Sequence, residues 1–522
     1  MKNKCWLSLL LIVIVASFVS FFYLGNLPLL DPDEPVYAET AREMIQSHDF
    51  ISPRIYHDFW YDKPPMYYWL VAGAFTIFGD GEFGARVPSA LLGVAGTVLI
   101  YFAGRDLFNK RAGILAALVL TTSLEYFYLS KAAVTDITLT FFMTAALLAF
   151  IRKQYYLFYG CAALAVLTKG PIGIIIPAGI ILLSLLATHN VVELKKMKLI
   201  SGGMLLLVIA LPWYAVMYHY HGWDFLNTFL GFHNITRFLE PEHPNGTLCY
   251  YYVPVLIFGF FPWSAFVVQA LYAAITQGYK ENHKNLLFLT IWAAVVFLFF
   301  SASQTKLISY ILPMYPALAL ITGWYIDKIW SAKDQKAFLL SARILTILII
   351  LLGGALFYVA LAVIPAVLLG VQLSGAIFIL LLVMIWWMDA SGNYRKAIMA
   401  KVLGMVAFLV ILMVSVLPAA APGLSMRDFS GQFIKQYDGQ TPVYIAKFYR
   451  PGFMFYTGMP GWELQNTDQL IEVIQREQRT YFIIKKKEYE QLPLESKDQL
   501  VIVNELEDKV LLLQEKDNSK NK

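Results

Sequence analysis

The chain has 522 residues, of which 58% are hydrophobic and only 15% charged, with a mean hydropathy of +0.58. That balance excludes a single water-soluble core and points to a polytopic α-helical membrane protein. The net charge of +5 is accounted for by basic loops beside apolar runs and gives no reason to expect a nucleic-acid partner.

In chain order, apolar runs suited to crossing about 30 Å of hydrocarbon fall at 5–24, 86–104, 112–130, 135–151, 156–168, 170–187, 199–218, 251–276, 286–302, 306–326, 338–362, 366–388 and 398–420, about thirteen in all. Every second loop is basic: Lys2 and Lys4, then Arg105, Lys110 and Arg111, then Arg152 and Lys153, then Lys195, Lys196 and Lys198. The pattern continues through Lys280 and Lys284, Lys328 to Arg343, and Arg395 to Lys401. Positive loops resist translocation, so these and the N-terminus are expected in the cytoplasm of a cell whose inner membrane holds the chain. Loops 25–85, 125–136, 219–250 and 302–306, and the tail after Pro418, are then outside. The first run is read as a retained anchor. Cys5, Cys161 and Cys249 match neither a disulfide pair nor a metal knuckle.

Residues 1–420 form the expected transmembrane domain and 421–522 a small extracytoplasmic α/β domain. In the latter, strand-like runs stand at 441–448, 480–484, 500–506 and 509–513, with helical spacing at 428–437 and at 467–478, the second capped by Thr467.

Chemistry gathers in the outside loops. Asp31-Pro32-Asp33-Glu34 closes the first apolar run, and neighbouring carboxylates at a helix end raise one another's pKa toward general-base range. An interfacial helix is expected over 35–47, with Tyr37 on its apolar stripe and Arg42 one turn or so from the acidic corner. Asp62-Lys63-Pro64-Pro65 pins a cation suited to gripping a phosphate. The rings around it, Trp60, Tyr67, Tyr68 and Trp69, read as headgroup-level aromatics. Asp136, Lys169, the pair His233 and Arg237 four apart, and Lys306 add ionisable groups to the same layer. A base, several cations and a greasy groove suit sugar transfer from a polyprenyl phosphate, whose tail stays in lipid while its phosphate leaves toward fixed positive charge.

The residues also resemble the lipid-linked-sugar glycosyltransferases of the GT-C type, specifically the bacterial lipid A aminoarabinose transferases and, more distantly, the protein O-mannosyltransferases. The resemblance is carried by Asp33-Glu34-Pro-Val-Tyr37-Ala-Glu39-Thr-Ala-Arg42-Glu43-Met44, Asp62-Lys63-Pro64 with Tyr68-Trp69, Phe83-Gly84-Ala-Arg86, Thr168-Lys169-Gly170, Leu211-Pro212-Trp213, His233 to Phe238, Tyr251-Tyr252-Val-Pro254 through Phe261-Pro262-Trp263, and Lys306-Leu-Ile-Ser-Tyr310-Ile-Leu-Pro313, in family order over about the first 320 residues. It implies a GT-C fold and an inverting transfer in which Asp33, with Glu34 and Asp136 beside it, is the catalytic carboxylate. Lys63 and Arg237 are the corresponding donor-phosphate ligands, with Arg42, Lys306 and Lys169 as further candidates read from the same charged layer. Tyr37, Tyr61 and Tyr310 are candidates for sugar or acceptor binding. Asp62 and His233 match positions where the aminoarabinose transferases hold a metal, here with Asp in place of Glu, and no cofactor is required on this reading. Pro35-Val36 stands where those transferases carry Thr-Arg, which leaves the donor and the acceptor open.

The expected partners are a polyprenyl (undecaprenyl) phosphate-linked sugar and an acceptor on lipid A, another envelope glycolipid or a protein. The rival is a lipid-linked-sugar flippase. Transporter sites sit near the bilayer midplane in repeated halves, whereas these charges cluster at one interface and no repeat is visible.

Overall fold

The computed structural model describes residues 2–236, 239–240, 248–280, 283–476 and 478–515. The chain begins with α1 (Lys2–Phe21), and α2 (Asp33–Ser47) follows a short loop. Acidic residues at the first two positions of α2 complement the helix dipole, and Pro35 spends its missing N–H in the one turn where that N–H lacks a helical partner. His48, in the left-handed conformation at φ 55°, ends it. A two-residue hairpin, β1 (Arg54–Ile55) with β2 (Asp58–Phe59), leads to α3 (Met66–Phe78). Within 25–85, expected as a loop with interfacial helices, α3 is apolar along its length, and its Tyr67 and Tyr68 are fully buried. Tyr37 packs on both, 5.5 Å edge-on to Tyr67 and 5.8 Å from Tyr68.

The body continues with α4 (Glu82–Leu107), α5 (Lys110–Thr121), α6 (Leu124–Leu129), α7 (Asp136–Ile151), α8 (Tyr155–Lys169), α9 (Ile172–Ala187), α10 (Glu193–Lys196) and α11 (Leu199–Leu226). Among the described residues six helices are long and apolar enough to cross a membrane, seven if Tyr252–Gly259 and Ser264–Tyr279, bent by 109°, count as one span. Four shorter apolar helices accompany them. The run at 112–130 divides at Thr122-Ser123 into α5 and α6. The run at 306–326 opens as a 3-10 turn, Ile308–Met314, before the helix Tyr315–Ser331. Prolines 313 and 316 lack the donors a continuous α-helix would need there. Pro262 lies at the 109° bend for the same reason.

The C-terminal part is a five-stranded sheet of order β4-β3-β5-β7-β6, with β3 (Val443–Ala446), β4 (Trp462–Leu464), β5 (Thr480–Lys485), β6 (Leu500–Leu506) and β7 (Lys509–Gln514). β3 runs parallel to β4 and β5, and β7 antiparallel to β5 and β6. β5 alternates Tyr481 and Ile483 into one core with Phe429, Phe433 and Phe453, and Phe482 and Ile484 into another with Leu470 and Ile474. The helix Thr467–Gln475 is capped by Asn466, whose side chain accepts from the Gln469 N–H, and not by Thr467 as the sequence suggested. β4 and the helix Arg450–Thr457 were not foreseen.

Candidate active site

Asp33 and Glu34 are adjacent but meet different surroundings. Glu34 is 3% exposed and bound at both oxygens by Arg86, at 2.8 Å from Nε and 2.6 Å from Nη2. It also accepts the N–H groups of Leu30 (2.8 Å) and Ala133 (2.7 Å). Arg86 in turn donates to the carbonyls of Leu24, Leu27 and Pro28. Every acceptor direction of Glu34 is thus committed to fastening the 24–34 loop and the entry to α7 onto α4. Where the sequence led to the expectation of a catalytic carboxylate, Glu34 stands as a brace of the site. Arg86, to which the residue pattern assigned no role, is the other half of the brace.

Asp33, one residue earlier, is accessible. Burial of its surroundings raises its carboxyl above the usual range; Asp136 and Asp62 add repulsion, and Lys63 and Lys169 pull it back. Two ion pairs supply these charges. Lys63 Nζ lies 2.8 Å from Asp62 Oδ1, and Lys169 Nζ lies 2.8 Å from Asp136 Oδ1. The second pair follows from helix length: α7 and α8 have 16 and 15 residues and form a hairpin through residues 152–154, so the start of one meets the end of the other. An acid at an N-terminus and a base at a C-terminus both suit the helix dipoles. Lys169 also sits over the Tyr310 ring, 4.6 Å from its centroid. Tyr37 closes the group, its hydroxyl pushed well above the usual range by burial and by Asp62, Tyr68, Asp136 and Asp33.

Asp33, Asp62, Lys63, Asp136, Lys169, Tyr37 and Tyr310 are therefore brought together. Arg42 is not one of them. It pairs with Glu39 (2.8 Å) and Asp80 (3.2 Å), donates to the Phe455 carbonyl (2.9 Å) and covers the Phe455 ring at 4.1 Å. Expected as a phosphate ligand, Arg42 here ties α2 to the loop before α4 through Asp80 and to the C-terminal part through Phe455. Tyr456 adds to the same seam, accepting the Leu29 N–H at 2.8 Å. Lys306 gives its ammonium to the Ser303 carbonyl at 2.5 Å. Tyr61 belongs to an aromatic shelf at the end of α11, 5.3 Å from His221 and 5.8 Å from Phe225. Arg237 and the side chain of His233 lie outside the described residues. For a metal, Asp62 offers a carboxylate already held by Lys63, and among the described residues no three His, Cys, Asp or Glu side chains gather as ligands.

Residues 62–215 match the family model described as dolichyl-phosphate-mannose-protein mannosyltransferase. An uncharacterized protein of Aquifex aeolicus is 34% identical over 324 residues, 61% of this chain and 73% of that protein. The undecaprenyl phosphate-alpha-4-amino-4-deoxy-L-arabinose arabinosyl transferase of Pectobacterium atrosepticum is 30% identical over 370 residues, 68% of this chain and 65% of that protein. The chain thus spans slightly less than two thirds of that transferase. Among solved structures, ArnT from Cupriavidus metallidurans bound to undecaprenyl phosphate superposes with a TM-score of 0.79 at 22% identity, covering 98% of both chains. The Archaeoglobus fulgidus oligosaccharyltransferase gives 0.57 at 12% identity over 92% of this chain and 70% of that one.

Proposed function

The chain belongs to the GT-C glycosyltransferases of the aminoarabinose-transferase type, and from that premise we propose that it moves a sugar from a polyprenyl phosphate to an envelope acceptor at the outer face of the cytoplasmic membrane. The observation that carries the reading is one accessible carboxylate, Asp33, with two lysine-carboxylate pairs as its electrostatic neighbours. Asp33 takes the proton of an acceptor hydroxyl as its oxygen attacks the anomeric carbon. The bond from that carbon to the phosphate oxygen breaks on the opposite face, inverting the configuration. Lys63 and Lys169, joined in this reading by Arg237, stabilise the charge that builds on the departing phosphate.

The acceptor is a hydroxyl or phosphate on lipid A, another glycolipid or a protein. A phosphate acceptor is largely ionised near neutral pH, so dependence on Asp33 separates the two. A polyprenyl phosphate donor is in keeping with the undecaprenyl phosphate bound to the ArnT of similar fold and with the names of the aminoarabinose transferases. The flippase reading has less support, because the charges meet at one end of the α7–α8 hairpin rather than along a path.

The test is sugar transfer by purified protein in detergent with a defined undecaprenyl-phosphate sugar. Asp33→Asn is expected to lower the rate by about two to four orders of magnitude. An unchanged rate would remove Asp33 from the chemistry.

A further inference from the structure

The α7–α8 hairpin has a second end. Its 16- and 15-residue helices carry the chain roughly 23 Å from the Asp136–Lys169 pair at 1.5 Å per residue, which is most of the hydrocarbon thickness of about 30 Å. There the turn after α7 meets α10 and the start of α11 around a cavity of about 430 Å³.

Three of its lining residues are lysines: Lys153, Lys196 and Lys198. Lys198 lies over the Tyr156 ring at 4.5 Å, which holds that ammonium at the cavity wall. One carboxylate offsets them. Glu193 pairs with Lys196 at 3.3 Å and accepts a hydrogen bond from the Tyr155 hydroxyl, which leaves the cavity net positive. The surface beside it is apolar and open, with Leu157 53%, Leu199 54% and Ile200 83% exposed. Leu199 and Ile200 are the first residues of the long apolar helix Leu199–Phe232, so this wall faces lipid.

A lysine-lined polar recess that opens directly onto a lipid-facing apolar wall suits an amphiphile with an anionic head. We propose that this cavity binds the phosphate headgroup of an anionic phospholipid, with its acyl chains lying along Leu157, Leu199 and Ile200. Basic pockets between transmembrane helices take headgroups in this manner. Free phosphate would use the same lysines but would gain nothing from the apolar wall. The site stands apart from the sugar-transfer reading, since it shares no residue with the Asp33 group.

The test uses the full chain in neutral detergent and follows its thermal unfolding midpoint against added phosphatidylglycerol, phosphatidylcholine or inorganic phosphate. Phosphatidylglycerol is expected to raise the midpoint, and the concentration giving half the rise is expected to increase by at least about tenfold in the triple variant Lys153→Gln, Lys196→Gln, Lys198→Gln. A control triple in another basic loop, Lys328→Gln, Lys333→Gln, Lys336→Gln, is expected to behave as the parent. An equal response in the cavity triple, or a matching rise with inorganic phosphate alone, overturns the proposal. Should the triple fail to fold, Lys198→Gln and Lys153→Gln are compared singly by native mass spectrometry. Loss of co-purified phosphatidylglycerol supports the site, and retention at the parent level overturns it.

Discussion

As the proposed proton acceptor Asp33 must be ionised, so the rate is expected to fall as pH drops through its raised pKa. Burial raises that pKa most, Asp136 and Asp62 add to it, and Lys63 and Lys169 oppose it. Removing a cation weakens the opposition, so Lys63→Gln should move the acid limb of kcat/KM to higher pH. Asp136→Asn removes a repelling charge and frees Lys169, so the limb should move to lower pH. Profiles that shift the same way in both variants would break this electrostatic link. Glu34 is tested differently. In Glu34→Ala the Arg86 guanidinium stays buried without its partner, at a cost of about 3–5 kcal/mol, measured as a fall in the unfolding midpoint of the purified protein. A change of about 0.5 kcal/mol, as expected of an ordinary surface substitution, would contradict the brace.

At the scale of elements, the seam between α2 and the helix Arg450–Thr457 joins the acidic corner to the C-terminal sheet through Arg42, Phe455, Tyr456 and Leu29. Arg42→Ala should therefore speed hydrogen exchange in residues 33–47 and 450–457 while leaving the donor KM near the parent value. Lys63→Gln should raise the donor KM and leave exchange in those segments unchanged. The reverse pattern would restore Arg42 as a phosphate ligand. The same seam shows why part of the site was not legible from the residues. Local patterning places α2 and the acids on it, because helical spacing and the Asp33-Glu34 pair are local signals. The partners of Glu34 and Leu29 lie 52 and 427 positions away, and no local signal distinguishes an arginine that will be buried from one that will meet a phosphate. The burial of Tyr67 and Tyr68 was illegible for a related reason: Tyr-Tyr-Trp has the same composition at a headgroup belt and in a packed core, and only the packing of Tyr37 against both reveals it.

For the whole molecule, we propose the sides from the alternation of basic and non-basic loops, and the hairpin geometry places Lys153 and Asp136 at opposite ends of α7 and α8. Single cysteines at Asp58 and Lys333, in a background with its three native cysteines replaced, are expected to label from outside and from the cytoplasm respectively with an impermeant maleimide. Labelling of both from one side would invert or abolish the proposed orientation. The count of spans was less legible than their existence, because a run such as 306–326 has the hydropathy of a span while its prolines divide it into a 3-10 turn and a 17-residue helix. The mixed sheet was partly legible: four of its five strands read as β-branched or aromatic runs, whereas β4, three residues long, is too short to show a period.

The split fate of the two consecutive acids gives their order a meaning. Exchanging them, Asp33→Glu with Glu34→Asp, preserves net charge, composition and helix-dipole complement. Yet it draws the fastening carboxylate back from Arg86 by one methylene and pushes the proposed proton acceptor forward by the same length. A chain reading Glu-Asp at this corner would keep every bulk property of the parent while misfitting both of its neighbours at once.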